Sequence, residues 1–104
     1  MGRYIFAVHS NPVEGREQEY NDWYANRHIK DLLACPGIVS ACRLVLADQP
    51  VRDVPQPFKY FSLYEIQTDD LQGVIDELTS RAGTETMPRS AALGNSSAVF
   101  WKVL

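Results

Sequence analysis

Residues 20–43 read YNDWYANRHIKDLLACPGIVSACR, and this stretch decides the fold. From Tyr20 to Cys35, apolar and aromatic residues recur at three- and four-residue steps, the period of a helix that buries one side. Pro36 cannot continue a helix, and Gly37 accepts the left-handed backbone that commonly ends one. Ile38 to Arg43 follows at once with the β-branched and apolar character of a strand. A helix thus runs into a strand through a tight Pro-Gly stop.

Working outward, the same logic divides the rest of the chain. Arg3–Ser10 is strand-like and ends at Asn11-Pro12 and Gly15. The first helix is expected from about Arg16 to Ala34, and the second strand over Ile38–Leu46. Ala47–Pro57, with three prolines, reads as a long exposed loop. Phe58–Ile66 reads as a third strand. Thr68-Asp69-Asp70 supplies a cap and an acidic first turn for a helix to about Arg81. In it Leu71, Val74, Ile75 and Leu78 form an ordinary core stripe. Ala82–Ser97 reads as irregular, with a helical turn near Ser90–Leu93, and Ala98–Leu104 as a last strand.

This order predicts an α+β fold, a ferredoxin-like βαββαβ sandwich: a four-stranded antiparallel sheet with two helices on one face. The 104 residues make one domain, 1–104. The other face of the sheet would be largely apolar, since strands three and four carry apolar side chains at both parities. A half-solvated strand normally alternates apolar with polar, so that face is expected to be covered by a second copy of the chain in a homodimer.

Charge and motifs exclude several classes. A net charge of −3 gives no basic surface for nucleic acid. No apolar run approaches the ~18 residues of a membrane span, and Met1-Gly2-Arg3 leads straight into YIFAV without the layout of a signal peptide. No nucleic acid, no membrane and a cytoplasmic location are the expectation. Cys35 and Cys42 flank the predicted turn and are expected as buried free thiols in a reducing compartment, with a disulfide as the alternative. Two histidines with scattered carboxylates show no metal-ligand spacing, and there is no glycine-rich phosphate loop or nucleophile elbow. Neither a metal nor a cofactor is expected.

The first helix carries the functional signal. On a helical wheel at ~100° per residue, Tyr20, Trp23, Tyr24, His28, Leu32 and Cys35 share one half. Arg27 and Asp31, four apart and able to pair, project into its middle. A face apolar in area but set with donors and acceptors suits a small-molecule pocket. Amphipathic rings satisfied at the edge of a core, with a solvated ion pair, would give the same pattern.

The run from Asn11 to Arg43, NPVEGREQEYNDWYANRHIKDLLACPGIVSACR, resembles the EthD-like branch of the dimeric α/β-barrel proteins. Their pattern is a glycine-containing turn, a helix with W-Y-x-x-x-H-(I/L/V)-x-D, a Pro-Gly, and a strand with a small residue and an arginine. Here these are Trp23, Tyr24, His28, Ile29, Asp31, Pro36, Gly37, Ala41 and Arg43. The resemblance implies pairing of two sheets into a barrel and a small hydrophobic or aromatic ligand. It leaves the chemistry wide, from lactone isomerases to polyketide cyclases, dehydratases and cofactor-free oxygenases, and related barrels include haem-binding members.

Within that frame His28 is the expected acid/base, since neutral imidazole can take a proton from an activated carbon or phenol and return it. Asp31, nearly one turn on, would orient its ring. Arg43 would neutralise an anionic substrate or enolate, or simply pair with a carboxylate. His9 shares parity with Arg3, Ile5 and Ala7 and would point into the pocket or toward the dimer partner. Tyr60 and Tyr64 share strand parity and would offer hydroxyls or pack as rings. A non-catalytic binding or accessory protein using the same pocket is the alternative to an enzyme.

Overall fold

The computed structural model describes residues 1–49, 52 and 54–104. Strand β1 (Gly2–Pro12) runs down the middle of a four-stranded sheet of order β2-β3-β1-β4. It pairs antiparallel with β3 (Tyr60–Thr68) on one side and β4 (Leu93–Lys102) on the other, and β2 (Ile38–Val45) pairs antiparallel with β3. Its sequence of alternating aromatic and β-branched residues suits a strand with ladders on both sides.

The first helix is continuous but not uniform. An α-helical stretch α1 (Glu17–Trp23) passes into a π-helical segment (Tyr24–His28) and back into α2 (Ile29–Leu33). Gly37, at φ +93°, ends the turn after it, and a Cβ there would meet Val74 at 3.0 Å; both conditions select glycine. Helix α3 (Leu71–Arg81) starts at Asp70, whose carboxylate accepts from the Gly73 amide at 3.0 Å.

Both helices pack on one face of the sheet. Leu32, Cys35, Val74 and Leu78 join Ile38, Tyr64, Ile66 and Met87 in the core, with Phe6 and Phe100 stacked beneath them. This is the α+β ferredoxin-like arrangement expected from the order of elements. The opposite face carries Ile5, Ala7 and His9 of β1, Phe61 and Leu63 of β3, and three exposed apolar side chains, Leu44 (41%), Val99 (42%) and Trp101 (62%). Arg3 and Glu65 form an ion pair at 2.7 Å on the same face.

Three expectations are corrected. Strand β4 begins at Leu93, not Ala98: the polar run Gly94–Ser97 lacks apolar alternation but still pairs with β1, from Ser97 opposite His9 to Leu93 opposite Pro12. Gly94 lets the chains approach, since a Cβ there would fall 2.8 Å from the Asn11 carbonyl oxygen. Strand β3 runs Tyr60–Thr68, two residues later than read. Both cysteines are free, as expected, but only Cys35 is buried; Cys42 is exposed, because its β2 position faces away from the helices. Of the proline-rich loop, residues 50, 51 and 53 lie outside the described residues; the rest of it does not line the cavity described next.

Candidate functional site

A cavity of about 260 Å³ opens between the helices and the β1–β4 half of the sheet. Phe6 and Val8 of β1 and Ala98 of β4 form its floor, and Leu32 and Leu78 belong to its helical walls. Trp23, Tyr24 and His28 come from the first helix, and Met87, Arg89 and Leu93 from the connection before and into β4. The walls are mainly apolar, with a few polar groups at defined places, the usual make-up of a small-molecule site.

The π-helical segment explains how these side chains come together. Tyr20, Tyr24, His28 and Leu32 follow each other at four-residue steps. On an α-helix each such step drifts by about 40°, so the four would spiral away from the sheet. A π turn holds one extra residue, which offsets the drift and keeps all four on the inner side. Such turns recur at functional sites. The same offset carries Arg27 and Asp31 to the flank, where a uniform wheel had placed them at mid-face.

His28 is mostly buried. Its ring stacks on Trp23 with centroids 4.2 Å apart and meets Tyr24 edge-on at 5.2 Å. Its Nδ1 is buried without a hydrogen-bond partner among the described residues. Burial pushes its pKa down to about 4; the Asp31 carboxylate opposes this and the Arg43 cation adds to it. The imidazole is therefore neutral at physiological pH.

The connection from α3 to β4 is held against the first helix by three side chains. The Trp23 indole N–H donates to the Pro88 carbonyl at 3.1 Å, Arg27 Nη2 to the Glu85 carbonyl at 2.7 Å, and Arg16 Nη1 to the Ala91 carbonyl at 3.3 Å. Arg27 Nε also donates to Asp31, at 2.8 and 3.1 Å to its two oxygens. Asp31 thus holds Arg27 rather than the His28 ring, and acts on His28 only through its charge.

The other expected residues gather on the far side of Tyr24, toward β2. Arg43 places its guanidinium 4.1 Å from the Tyr24 ring, 5.3 Å from Tyr60 and 5.4 Å from Tyr20, a cage of cation–π contacts. Its Nη2 donates to Asn21 Oδ1 at 3.0 Å, and Asn21 Nδ2 donates to the Tyr60 hydroxyl at 3.2 Å. The Tyr60 hydroxyl in turn donates to Glu17, which Lys59 also reaches at 2.8 Å. Arg43 Nε and the Tyr64 hydroxyl are buried without partners among the described residues. Burial raises the Tyr64 pKa well above the usual phenol range and that of Tyr20, whose hydroxyl pairs with Ser10, to about 12.

Of the residues singled out from the sequence, Trp23, Tyr24 and His28 line the cavity. Tyr20 and Tyr60 join Tyr24 around Arg43, Tyr64 lies in the core beside Phe6, and Arg27 with Asp31 fixes the connection to β4. His9 lies on the opposite face of the sheet, stacked on Phe61 at 4.1 Å and 5°, so of its two expected directions it takes the one away from the cavity. Phe6 and Val8 were visible only as strand parity. Met87 and Arg89 carried no periodic signal at all. Among the described residues, no group of three or more His, Cys, Asp or Glu side chains could hold a metal ion, and no helix is long and apolar enough to cross a membrane.

No family model and no curated protein matches the chain. Solved structures do. The chain is similar to an ethyl tert-butyl ether D (EthD) family protein from Bacillus halodurans C-125, with a TM-score of 0.64 and 14% identity over 100% of both chains. It is equally similar in shape to the heme-degrader MhuD of Mycobacterium tuberculosis, solved with two hemes in its active site (TM-score 0.64, 15% identity, 97% of this chain and 95% of that one). A candidate monooxygenase from Shewanella loihica PV-4 follows, at 0.60 and 12% identity over 100% and 97%. The chain shares the fold of these proteins from end to end.

Proposed function

We propose that the protein is a small cofactor-independent enzyme that holds a largely apolar carbonyl, lactone or phenolic compound in this cavity, with His28 taking a proton from it and returning it. The observation that carries the reading is the buried Nδ1 of His28, without a partner in the described structure, at the wall of an otherwise apolar hollow. Buried polar groups are nearly always paired, and a ligand is the missing partner that would make this one worth its cost.

The chemistry follows from the environment. A histidine held neutral is free to accept a proton, and the same burial makes it a weak base toward water. Transfer from an acidic carbon or a phenol would create an imidazolium beside an enolate or phenolate. In a low dielectric that pair attracts strongly, which restores the drive that burial removes. Isomerisation, aldol cyclisation and dehydration each need such a proton shuttle. The likeness in fold to an EthD family protein is in keeping with this reading.

The haem degrader among the structural neighbours raises the question of a porphyrin. Ligand pockets commonly measure roughly 300–1,000 Å³; a hollow of about 260 Å³ whose one histidine is stacked face-on against Trp23 suits a ligand smaller than a porphyrin.

A second reading, a binding protein without turnover, is favoured by one observation: Asp31 is engaged by Arg27, so His28 lacks the orienting carboxylate common beside catalytic histidines. The two separate in one experiment. His28→Ala is expected to abolish turnover of a panel of enolisable lactones and β-dicarbonyls while ligand binding and melting temperature hold. Binding without turnover in the wild type selects the second reading. Loss of stability alone, with nothing bound by the wild type, sinks both.

The apolar sheet face supports a homodimer, with Leu44, Val99 and Trp101 buried against a second copy. Exposed apolar side chains in this number on one face mark an interface more often than a free surface. Sedimentation of a monomer at micromolar concentration would count against it.

A further inference from the structure

We infer that the cavity takes a ligand bearing a carboxylate, and that Arg89 at its mouth is the residue that recognises it. The inference rests on the reading of the cavity as a ligand site and names the chemical class that site selects.

Arg89 is the one permanently charged side chain on the cavity wall; His28 is neutral there, and no acidic side chain among the described residues lines the hollow. Among the described residues four of the six other arginines are held by carboxylates, Arg43 is enclosed by tyrosine rings, and Arg52 does not line the cavity. Arg3 is held by Glu65, Arg16 by Glu19, Arg27 by Asp31 and Arg81 by Glu77. Arg89 has no such carboxylate among the described residues, although the chain carries more acids than bases.

Its position is fixed from both sides in sequence. The Pro88 carbonyl accepts from Trp23, and the Ser90 carbonyl and hydroxyl accept from Leu93 and Ala92 at 3.2 and 3.0 Å. The Arg89 side chain runs across Gly83, with its Nε 3.6 Å from where a Cβ of that glycine would stand. At φ +79° that position calls for glycine, and the arginine stem lies in ordinary contact with the turn it makes.

A guanidinium offers two parallel N–H donors that match a carboxylate, and such charge-assisted pairs are about twice as strong as neutral hydrogen bonds. At the edge of an apolar hollow the cation also focuses its field into low-dielectric space. The arrangement therefore selects an amphipathic acid, with its apolar body on Phe6, Val8 and Leu32, its reacting atom at His28 and its carboxylate outward on Arg89.

The test uses the full-length chain and two probes of equal shape, 2-naphthoate and 2-naphthamide, titrated by calorimetry at neutral pH. Wild type is expected to bind the acid about tenfold more tightly than the amide, the size a charge-assisted pair supplies. In R89Q the two should become equal through weakening of the acid alone, and R89K, which keeps the charge but not the paired donors, should keep only part of the preference. A carboxylate preference that persists in R89Q, or is missing in wild type while both compounds bind, overturns the role of Arg89 and leaves the cavity as a ligand site. Failure of both compounds to bind wild type at millimolar concentration overturns the ligand site as well.

Discussion

Tyr24 separates two regions built from similar side chains and put to different use. Toward β2, the rings of Tyr20, Tyr24 and Tyr60 close around the Arg43 cation. Toward β4, Trp23 and the other edge of Tyr24 border an open hollow with a neutral histidine. The cage uses its aromatics to hold a charge in place; Asn21 and the Tyr60 hydroxyl lead outward from Arg43 to Glu17, and the Tyr20 and Tyr24 hydroxyls both meet Ser10 Oγ. Each region leaves buried polar atoms without partners among the described residues, Arg43 Nε and the Tyr64 hydroxyl in one and His28 Nδ1 in the other. What separates them is space: His28 borders a hollow of about 260 Å³, whereas the Arg43 cation is packed between rings, so the proposed ligand belongs on the β4 side.

The comparison breaks most completely at the ring the two regions share. Tyr24 is almost fully buried, and Tyr24→Ala is expected to cost about 3–5 kcal/mol, as for other large buried rings, read from urea denaturation. A cost below about 1 kcal/mol would mean that the ring divides nothing.

Acid tests the cavity alone. The His28 pKa is about 4 in the native state against an ordinary 6.5. Between these values the unfolded chain binds more protons than the native one, so this contribution to stability is complete above pH 6.5 and declines as pH falls toward 4. The loss should reach up to about 3 kcal/mol and vanish in H28Q, which does not titrate. An equal acid loss in H28Q would place its origin elsewhere.

The smallest expected effect sharpens the contrast from the cage side. Tyr60→Phe removes the link between Asn21 and Glu17 and should cost about 1 kcal/mol while ligand affinity in the cavity stays the same. A matching loss of affinity would show that cage and cavity act as one site.

Much of this was legible in the sequence for identifiable reasons. The Pro36-Gly37 stop and the capping Asp70 are local signals, and strands one and three are dense in aromatic and aliphatic residues between turn residues, so the order of elements could be read. The polar start of β4 at Gly94–Ser97 has no such residues, and only its pairing with β1 makes it a strand. The helical half of the cavity was visible because Trp23, Tyr24 and His28 belong to one motif. Arg27 and Asp31 were misplaced because the wheel assumes a uniform 100° step, which the π turn interrupts. Met87 and Arg89 stayed hidden because three long-range bonds, from Arg16, Trp23 and Arg27 to carbonyls some sixty to seventy-five positions later in the chain, bring their segment to the cavity.

The π turn also gives the helix a place where its length can change. Ala25 and Asn26 lie within it and are both exposed, so losing either would remove no packing. Because a π turn holds one residue more than an α turn, such a loss would let it close as an ordinary turn, with the flanking halves facing nearly as before. A residue lost anywhere else in the helix has no such turn to absorb it and would rotate one half by about 100° against the other. His28 would then swing off Trp23. The spare residue thus marks where this helix can shorten without changing what faces the cavity.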